Sequence, residues 1–237
     1  MEKGMYTYKY PHAALTADCV VFGFDGWSLK VLLIQRAKGP YESFWAFPGG
    51  FMEMEETTEE CARRELCEET GLVVSGLRLF GVFSDVGRDP RERVVSVGYY
   101  ALAKEVEVEG GDDAAQAQWW EIDRVPPMAF DHRTMLRQAL RQMRRDIHFE
   151  PVGFELLGER FTLGEVQRLY ESVLGVRFDR RNFCKKMLQT GVLKAAEAEA
   201  SVGEGEGKEW PVGRRGRLYC FDREGYEHMK GGFRLEF

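Results

Sequence analysis

Between Gly50 and Leu72 the chain reads G-FMEME-E-TTEECAR-R-E-L-C-E-E-T-G-L, a segment that crowds Glu56, Glu65, Glu68 and Glu69 around one arginine, Arg64. Hard carboxylate oxygens without histidine or cysteine partners suit Mg²⁺ or Mn²⁺ better than zinc. Mg²⁺ takes one or two carboxylates and completes its shell with water and substrate phosphates. On a helix at about 100° per residue, Glu65 and Glu69 fall within about 40° of each other and Glu68 about 80° to one side. Like charges at i,i+4 destabilise a helix by a few tenths of a kcal/mol, so the acidic flank is a local conflict that a divalent cation resolves. A solvated acidic face is the alternative. Arg64 and Glu68 stand at i,i+4, so the arginine can also steady that carboxylate.

The elements that must position these groups are legible around them. Thr57-x-x-Glu60 is a capping box and Gly71 supplies a left-handed stop, which predicts a helix over Thr58–Thr70 with Ala62 and Leu66 on its buried stripe. Upstream, Thr16–Phe24 and Leu29–Gln35 read as a strand hairpin linked from Asp25-Gly26. Trp45-Ala-Phe-Pro-Gly-Gly50 then enters the acidic segment, and Gly49 and Gly50 allow close approach of backbone to phosphate. Downstream, Val94–Lys104 and Trp119–Ile122 read as strands. Asp131 caps a helix running to about Ile147 with Arg133, Arg137, Arg141, Arg144 and Arg145 on its wet side, a face for solvent or interdomain pairing. His12, His148 and His228 have no ligand-like spacing.

A second chemical stretch, Ser84 to Tyr100, carries Arg88, Asp89-Pro90, Arg91 and Arg93 ahead of an apolar strand. Guanidinium offers a planar donor fork for phosphates or ribose hydroxyls, and a charged hairpin tip is the plainer reading.

At 237 residues and 27.3 kDa the chain exceeds one compact domain, and 44% hydrophobic residues permit a core in each of two. Five cysteines without a C-x-x-C pair argue against a disulfide framework. The first ten residues lack the apolar run that export requires, and no 18-residue apolar stretch occurs, so the expectation is a cytoplasmic protein without a membrane partner. The net charge of −6 is uneven: residues 149–237 hold 15 basic and 15 acidic side chains, which leaves the deficit on residues 1–148. The domain boundaries are therefore expected at 1–148 and 149–237.

In the second body, which Pro151 begins, Thr162-x-x-Glu165 caps a helix carrying Val166, Leu169, Tyr170 and Val173 up to Gly175. Asp179 caps the next, with Phe183, Met187 and Leu188 as its apolar stripe and Arg180, Arg181, Asn182, Lys185 and Lys186 outside, and Gly191 ends it. Val192–Glu199 and Arg217–Phe221 read as strands around a Gly/Glu-rich tip, Ser201–Gly216. Helix, helix, hairpin is the order of a winged helix-turn-helix. The 179–190 helix would then enter a major groove of an operator, with Arg214 and Arg215 of the wing on phosphates. Glu204, Glu206 and Glu209 oppose that role, and a winged helix used only for dimerisation or protein contact is the alternative.

The frame G-x5-E-x7-R-E-U-x-E-E-x-G-U is matched at every position by Gly50, Glu56, Arg64, Glu65, Leu66, Glu68, Glu69, Gly71 and Leu72. In this the chain resembles the Nudix hydrolases. The resemblance implies an α+β fold, an α/β/α sandwich with a mixed sheet, and attack of water on a diphosphate joined to another group. It makes Glu65, Glu69 and Glu68, with Gly49, the metal site, and pairs Arg64 with Glu56. Glu56, Glu68 and Glu92 remain candidates for the base. The run R-D-P-R-x-R-V-V-S followed by Y-Y resembles the loop of ADP-ribose pyrophosphatases and their regulatory relatives, which makes Gly50, Arg88, Asp89, Arg91 and Arg93 substrate-binding residues. His132 resembles the histidine of the F-D-H that often opens the following helix.

Over nearly its full length the chain is similar to Nudix-related bacterial transcriptional regulators, several of which have damaged boxes; here all three acidic positions are intact. The resemblance implies a homodimer and a Mg²⁺- or Mn²⁺-dependent hydrolase converting ADP-ribose to AMP and ribose 5-phosphate. The alternative it implies is a DNA-binding regulator in which the Nudix domain mainly senses ADP-ribose or a sugar-phosphate.

Overall fold

The computed structural model describes residues 8–108, 110–111, 114–196, 217–229 and 232–235. Its contacts divide the chain into two units, Met1–Gly23 with Lys30–Arg141, and Phe24–Leu29 with Gln142–Phe237.

The first unit is a seven-stranded mixed sheet with helices. Its elements are β1 (Ala14–Phe24), β2 (Leu29–Arg36), β3 (Trp45–Ala46), β4 (Gly49–Phe51), α1 (Thr58–Thr70), β5 (Arg78–Phe83), β6 (Val94–Leu102), β7 (Ala114–Glu121) and the start of α2 (His132–Phe149). The strand order is β3-β2-β1-β6-β5, with β4 also on β1 and β7 on β2. β1 runs parallel to β6, Ala14 opposite Val94 through Phe22 opposite Leu102. From Thr16 to Phe24 every residue of β1 is buried, the signature of a strand covered on both faces. Ala17, Cys19 and Val21 pack with Cys61, Ala62 and Leu66 of α1. Asp18, on the opposite pleat, faces His132 at the head of α2.

Several local expectations shift. β7 spans eight residues where the sequence shows a short strand, because it pairs along the whole of β2 from Lys30 to Arg36. β5 is an additional strand, hidden by Gly81 and by a register irregularity between Leu79 and Gly81. Asp131 spends its carboxylate on Arg88, so it does not serve as a side-chain cap of α2.

The second unit contains α3 (Leu163–Leu174), α4 (Arg180–Gln189), the strands β8 (Phe161–Thr162), β9 (Leu193–Ala195) and β10 (Leu218–Phe221), and α5 (Arg223–Glu227). The strands form an antiparallel sheet in the order β8-β10-β9. Val166, Leu169, Tyr170 and Val173 of α3 are buried against Phe183 and Met187 of α4, with the Tyr170 and Phe183 rings edge-on at 5.7 Å. Leu188, expected in that stripe, is 44% exposed. The wing tip, with Arg214, Arg215, Glu204, Glu206 and Glu209, lies outside the described residues. All five cysteines are free. Among the described residues no helix is long and apolar enough to cross a membrane.

Candidate functional site

The site begins with the phase of α1. Thr57 Oγ1 accepts from the Glu60 amide at 3.2 Å while Glu60 Oε2 accepts from the Thr57 amide at 2.8 Å. At the other end Gly71, at φ 70°, closes the last turn on the Cys67 carbonyl. Held at both ends, the helix sends Cys61, Ala62 and Leu66 into the core and turns Glu65, Glu68 and Glu69 toward a pocket of about 400 Å³. The glycines of β4 face this flank for steric reasons. A Cβ on Gly50 would lie 2.3 Å from Glu65 Oε1, and one on Gly49 would lie 2.5 Å from the Ala17 carbonyl and 2.6 Å from Asp18 Oδ1.

Arg64 is the electrostatic hub. Its Nη2 and Nε donate to the two oxygens of Glu56 at 2.6 and 3.0 Å, and its Nη1 donates to Glu65 at 2.7 Å and Glu68 at 3.0 Å. These hydrogen bonds hold the Glu56 carboxyl down at about 2. Glu65 moves the other way: burial raises its pKa and outweighs Arg64. Glu69 is buried, 7% exposed, and Oε2 accepts from the Gly49 amide at 2.9 Å. Burial, with Glu65 and Asp18 nearby, lifts its pKa to about 8. Among the described residues no three His, Cys, Asp or Glu side chains converge on a common point. The box carboxylates share a flank, but Arg64 holds two of them and a backbone amide the third.

In the same pocket Asp18 and Thr16, which the sequence did not single out, join His132, which it did. Asp18 accepts from Ser96 Oγ, and its Oδ1 lies 3.6 Å from His132 Nε2. His132 Nδ1 accepts from the Phe47 amide at 3.0 Å, so the neutral ring carries its proton on the Nε2 that faces Asp18. Burial lowers the His132 pKa, against the pull of Asp18 and Asp131, and so favours the neutral ring. Thr16 Oγ1, also lining the pocket, has no hydrogen-bond partner among the described residues. Asp18 left one trace in the sequence, a lone acid inside an otherwise apolar strand.

The arginine loop divides. Arg91 lines the pocket, pairs with Asp89 at 2.7 Å and lies 5.1 Å over the Phe51 ring. Arg88 also lines it, but its side chain is 5% exposed and its fork is bound to Asp131 at 2.7 and 3.1 Å. Arg93 donates to the Asp85 carbonyl and stands outside the lining, as do Glu56 and Glu92. Arg36, Lys38, Glu53 and Phe130 line the pocket without having been singled out by sequence, and Phe130 holds a left-handed backbone at φ 50°.

With this geometry in view, residues 12–139 match the NUDIX domain family. The chain belongs to the Nudix family. Residues 153–221 match the NrtR DNA-binding winged helix domain. The chain is 30% identical over 226 residues to the ADPR responsive transcriptional repressor NtrR of Acinetobacter baylyi, covering 92% of this chain and 86% of the relative. To the ADP-ribose pyrophosphatase of Methanocaldococcus jannaschii it is 37% identical over 132 residues, 56% of this chain and 76% of the relative. The structure of Shewanella oneidensis NrtR complexed with a 27mer DNA superposes with a TM-score of 0.71 at 28% identity, covering 94% of this chain and 99% of that one.

In the winged helix, α4 is capped by Asp179, which accepts from the Asn182 amide at 2.8 Å. Burial of Phe183 and Met187 turns Arg180, Arg181, Asn182 and Lys185 to the exposed side and leaves Lys186 half-buried. The Nudix unit thus offers acids in a pocket and the winged helix offers exposed cations on α4.

Proposed function

We propose that the chain is an ADP-ribose-responsive DNA-binding regulator whose Nudix unit has kept the residues for hydrolysing its ligand. Its domains are 1–148 and 149–237, and it works as a cytoplasmic homodimer. The observation that carries the reading is the union, in one chain, of an intact acidic box beside two glycines that line the same pocket and a winged helix with an exposed cationic face. The full-length likeness to a repressor described as ADPR responsive, and to a DNA-bound NrtR, supports it.

On this reading Gly49 and Gly50 admit the diphosphate against backbone, and Arg91 with Arg36 and Lys38 offsets its charge. Arg88 and Asp89 shape the loop, since Asp131 and Arg91 already engage them. Glu65, Glu68 and Glu69, with Gly49, would hold Mg²⁺ or Mn²⁺. The donor set fits: it is all oxygen, and Glu69 is a buried carboxylate whose charge is poorly compensated. Such an ion polarises phosphate oxygens and lowers the pKa of water. Arg64 releases Glu65 and Glu68 to that role while keeping Glu56. Glu56, held ionised near 2, is a weak base, and Glu92 lies away from the pocket, which leaves Glu68 to take the proton from water. Water oxygen bonds to phosphorus, the bridging P–O bond breaks, and AMP and ribose 5-phosphate leave.

A second reading, a sensor that binds ADP-ribose without cleaving it, is favoured by one observation: Arg64 occupies two of the three box carboxylates. Incubation with ADP-ribose and Mg²⁺, followed by chromatography, separates the two. AMP and ribose 5-phosphate are the products expected. Binding with no product establishes the sensor, and neither binding nor product defeats both. For regulation, duplex from the protein's own upstream region should be bound at low salt and released by ADP-ribose; no binding at low salt rejects that role.

A further inference from the structure

The winged-helix unit has a cavity of about 470 Å³ of its own. Three guanidinium groups line it: Arg168 from α3, Arg180 from the first turn of α4, and Arg217 at the foot of β10. None forms an ion pair with any described residue. Arg168 donates from Nε to the Gly26 carbonyl at 2.9 Å and lies 4.8 Å over the Trp27 ring, contacts that aim the side chain without neutralising it. Arg217 lies 5.8 Å over the Tyr219 ring.

Among the described residues the one acid lining the cavity is Glu171, and it is already committed. Its carboxylate accepts from Gln167 Nε2, the Phe178 amide and Arg177 Nη1, each at 2.9 Å. The start of α3 completes the wall: Leu163 and Gly164 line the cavity, beside the capping box of Thr162 and Glu165. Uncompensated forks around a concave space at a helix start are built for a phosphate group, which accepts two parallel N–H bonds from a guanidinium.

Resting on the DNA-binding reading above, we propose that this cavity clamps a backbone phosphate of duplex DNA through Arg168, Arg180 and Arg217. In helix-turn-helix docking the second helix enters the groove while the first crosses the backbone beside it. Here the cavity joins the first turns of both helices. It therefore takes the phosphate flanking the groove, and it recruits Arg168 from the first helix and Arg217 from the foot of the wing. The clamp fixes register on the duplex and carries no base preference.

The test uses the full chain and a labelled 30-base-pair duplex, with affinity followed by anisotropy between about 50 and 200 mM KCl. Each lost phosphate contact flattens the log–log salt slope by about 0.9. With three forks on one phosphate, Arg168→Gln and Arg217→Gln should each weaken binding, and the Arg180→Gln/Arg217→Gln double variant should flatten the slope by up to that amount. Arg217→Lys should keep the slope and lose part of the affinity, because it retains charge and loses the fork. If Arg168→Gln unfolds through its Gly26 and Trp27 contacts, as a thermal melt will show, variants at the exposed Arg180 and Arg217 still decide. Wild type that binds, with affinity and slope both unchanged in the Arg180→Gln/Arg217→Gln double variant, overturns the clamp alone. Wild type that binds no duplex overturns the regulator reading and the clamp together. A calorimetric titration with inorganic phosphate and AMP covers the other source: binding abolished by Arg217→Gln, with the DNA slope intact, reassigns the cavity to a free phosphate and overturns the DNA assignment.

Discussion

α1 and α3 follow the same local plan. Each opens on a threonine whose hydroxyl and downstream glutamate form a reciprocal capping box, Thr57 with Glu60 and Thr162 with Glu165, and each ends on a glycine at φ 70°. Their flanks differ. α1 gives only part of its surface to the core and turns Glu65, Glu68 and Glu69 to a pocket, whereas α3 buries Val166, Leu169, Tyr170 and Val173 and brings one cation, Arg168, to its cavity. End chemistry decides that a helix exists and where it stops, while the flank decides what it does. Both flanks address a phosphate on this account, α1 by sharing a cation and α3 by direct guanidinium contact.

The sharpest way to break this contrast is to neutralise one glutamate in each helix. Glu69→Gln should lower ADP-ribose turnover at least ~100-fold, as expected for a lost metal ligand that stabilises transition-state charge. Glu165→Gln should leave turnover alone. Equal turnover in wild type and Glu69→Gln would remove the chemical distinction between the flanks.

Glycine substitutions extend the comparison. Gly50→Ala drives a Cβ into Glu65 and should abolish turnover with a lower melting temperature. Gly164→Ala meets nothing nearer than 3.7 Å and should be neutral or slightly stabilising, by about 0.5–1 kcal/mol. Thermal melts of both read this directly.

Glu56→Gln should cost about 1.5–3 kcal/mol at neutral pH, the worth of hydrogen bonds to a charged group. The pH window follows from the Glu56 carboxyl, which lies at about 2 when folded against an ordinary 4.5. A lowered folded value gives stabilisation that is complete above 4.5 and is lost as pH falls toward 2. Melts of wild type and Glu56→Gln should therefore differ at pH 7 and converge near pH 2; a difference independent of pH contradicts the assigned pair. A further small effect is shared: Thr57→Ala and Thr162→Ala should each cost about 1 kcal/mol, roughly 2–4 °C of melting temperature for a chain this size.

What pattern reading reached and missed has a physical boundary. The residues of α1 and the stop of α3 were legible because caps act over three or four residues. β1 and β2 were legible because burial on both faces makes a continuous apolar run. Asp18 was not, since Ser96 and His132, which give it meaning, come from β6 and α2. Arg88 reads as a ligand-facing cation until the fold delivers Asp131 from 43 residues away. Arg168 and Arg217 likewise gain a shared role only through a cavity that folding creates.

The central claim is that the acidic flank of α1 is a divalent-cation site facing a diphosphate. Titrating Mn²⁺ into the full chain and following the free-ion signal by electron paramagnetic resonance tests it most directly. Mn²⁺ binding should saturate, tighten with a non-hydrolysable ADP-ribose analogue and be lost in Glu69→Gln. Mn²⁺ bound equally by wild type and Glu69→Gln, or by neither, contradicts it.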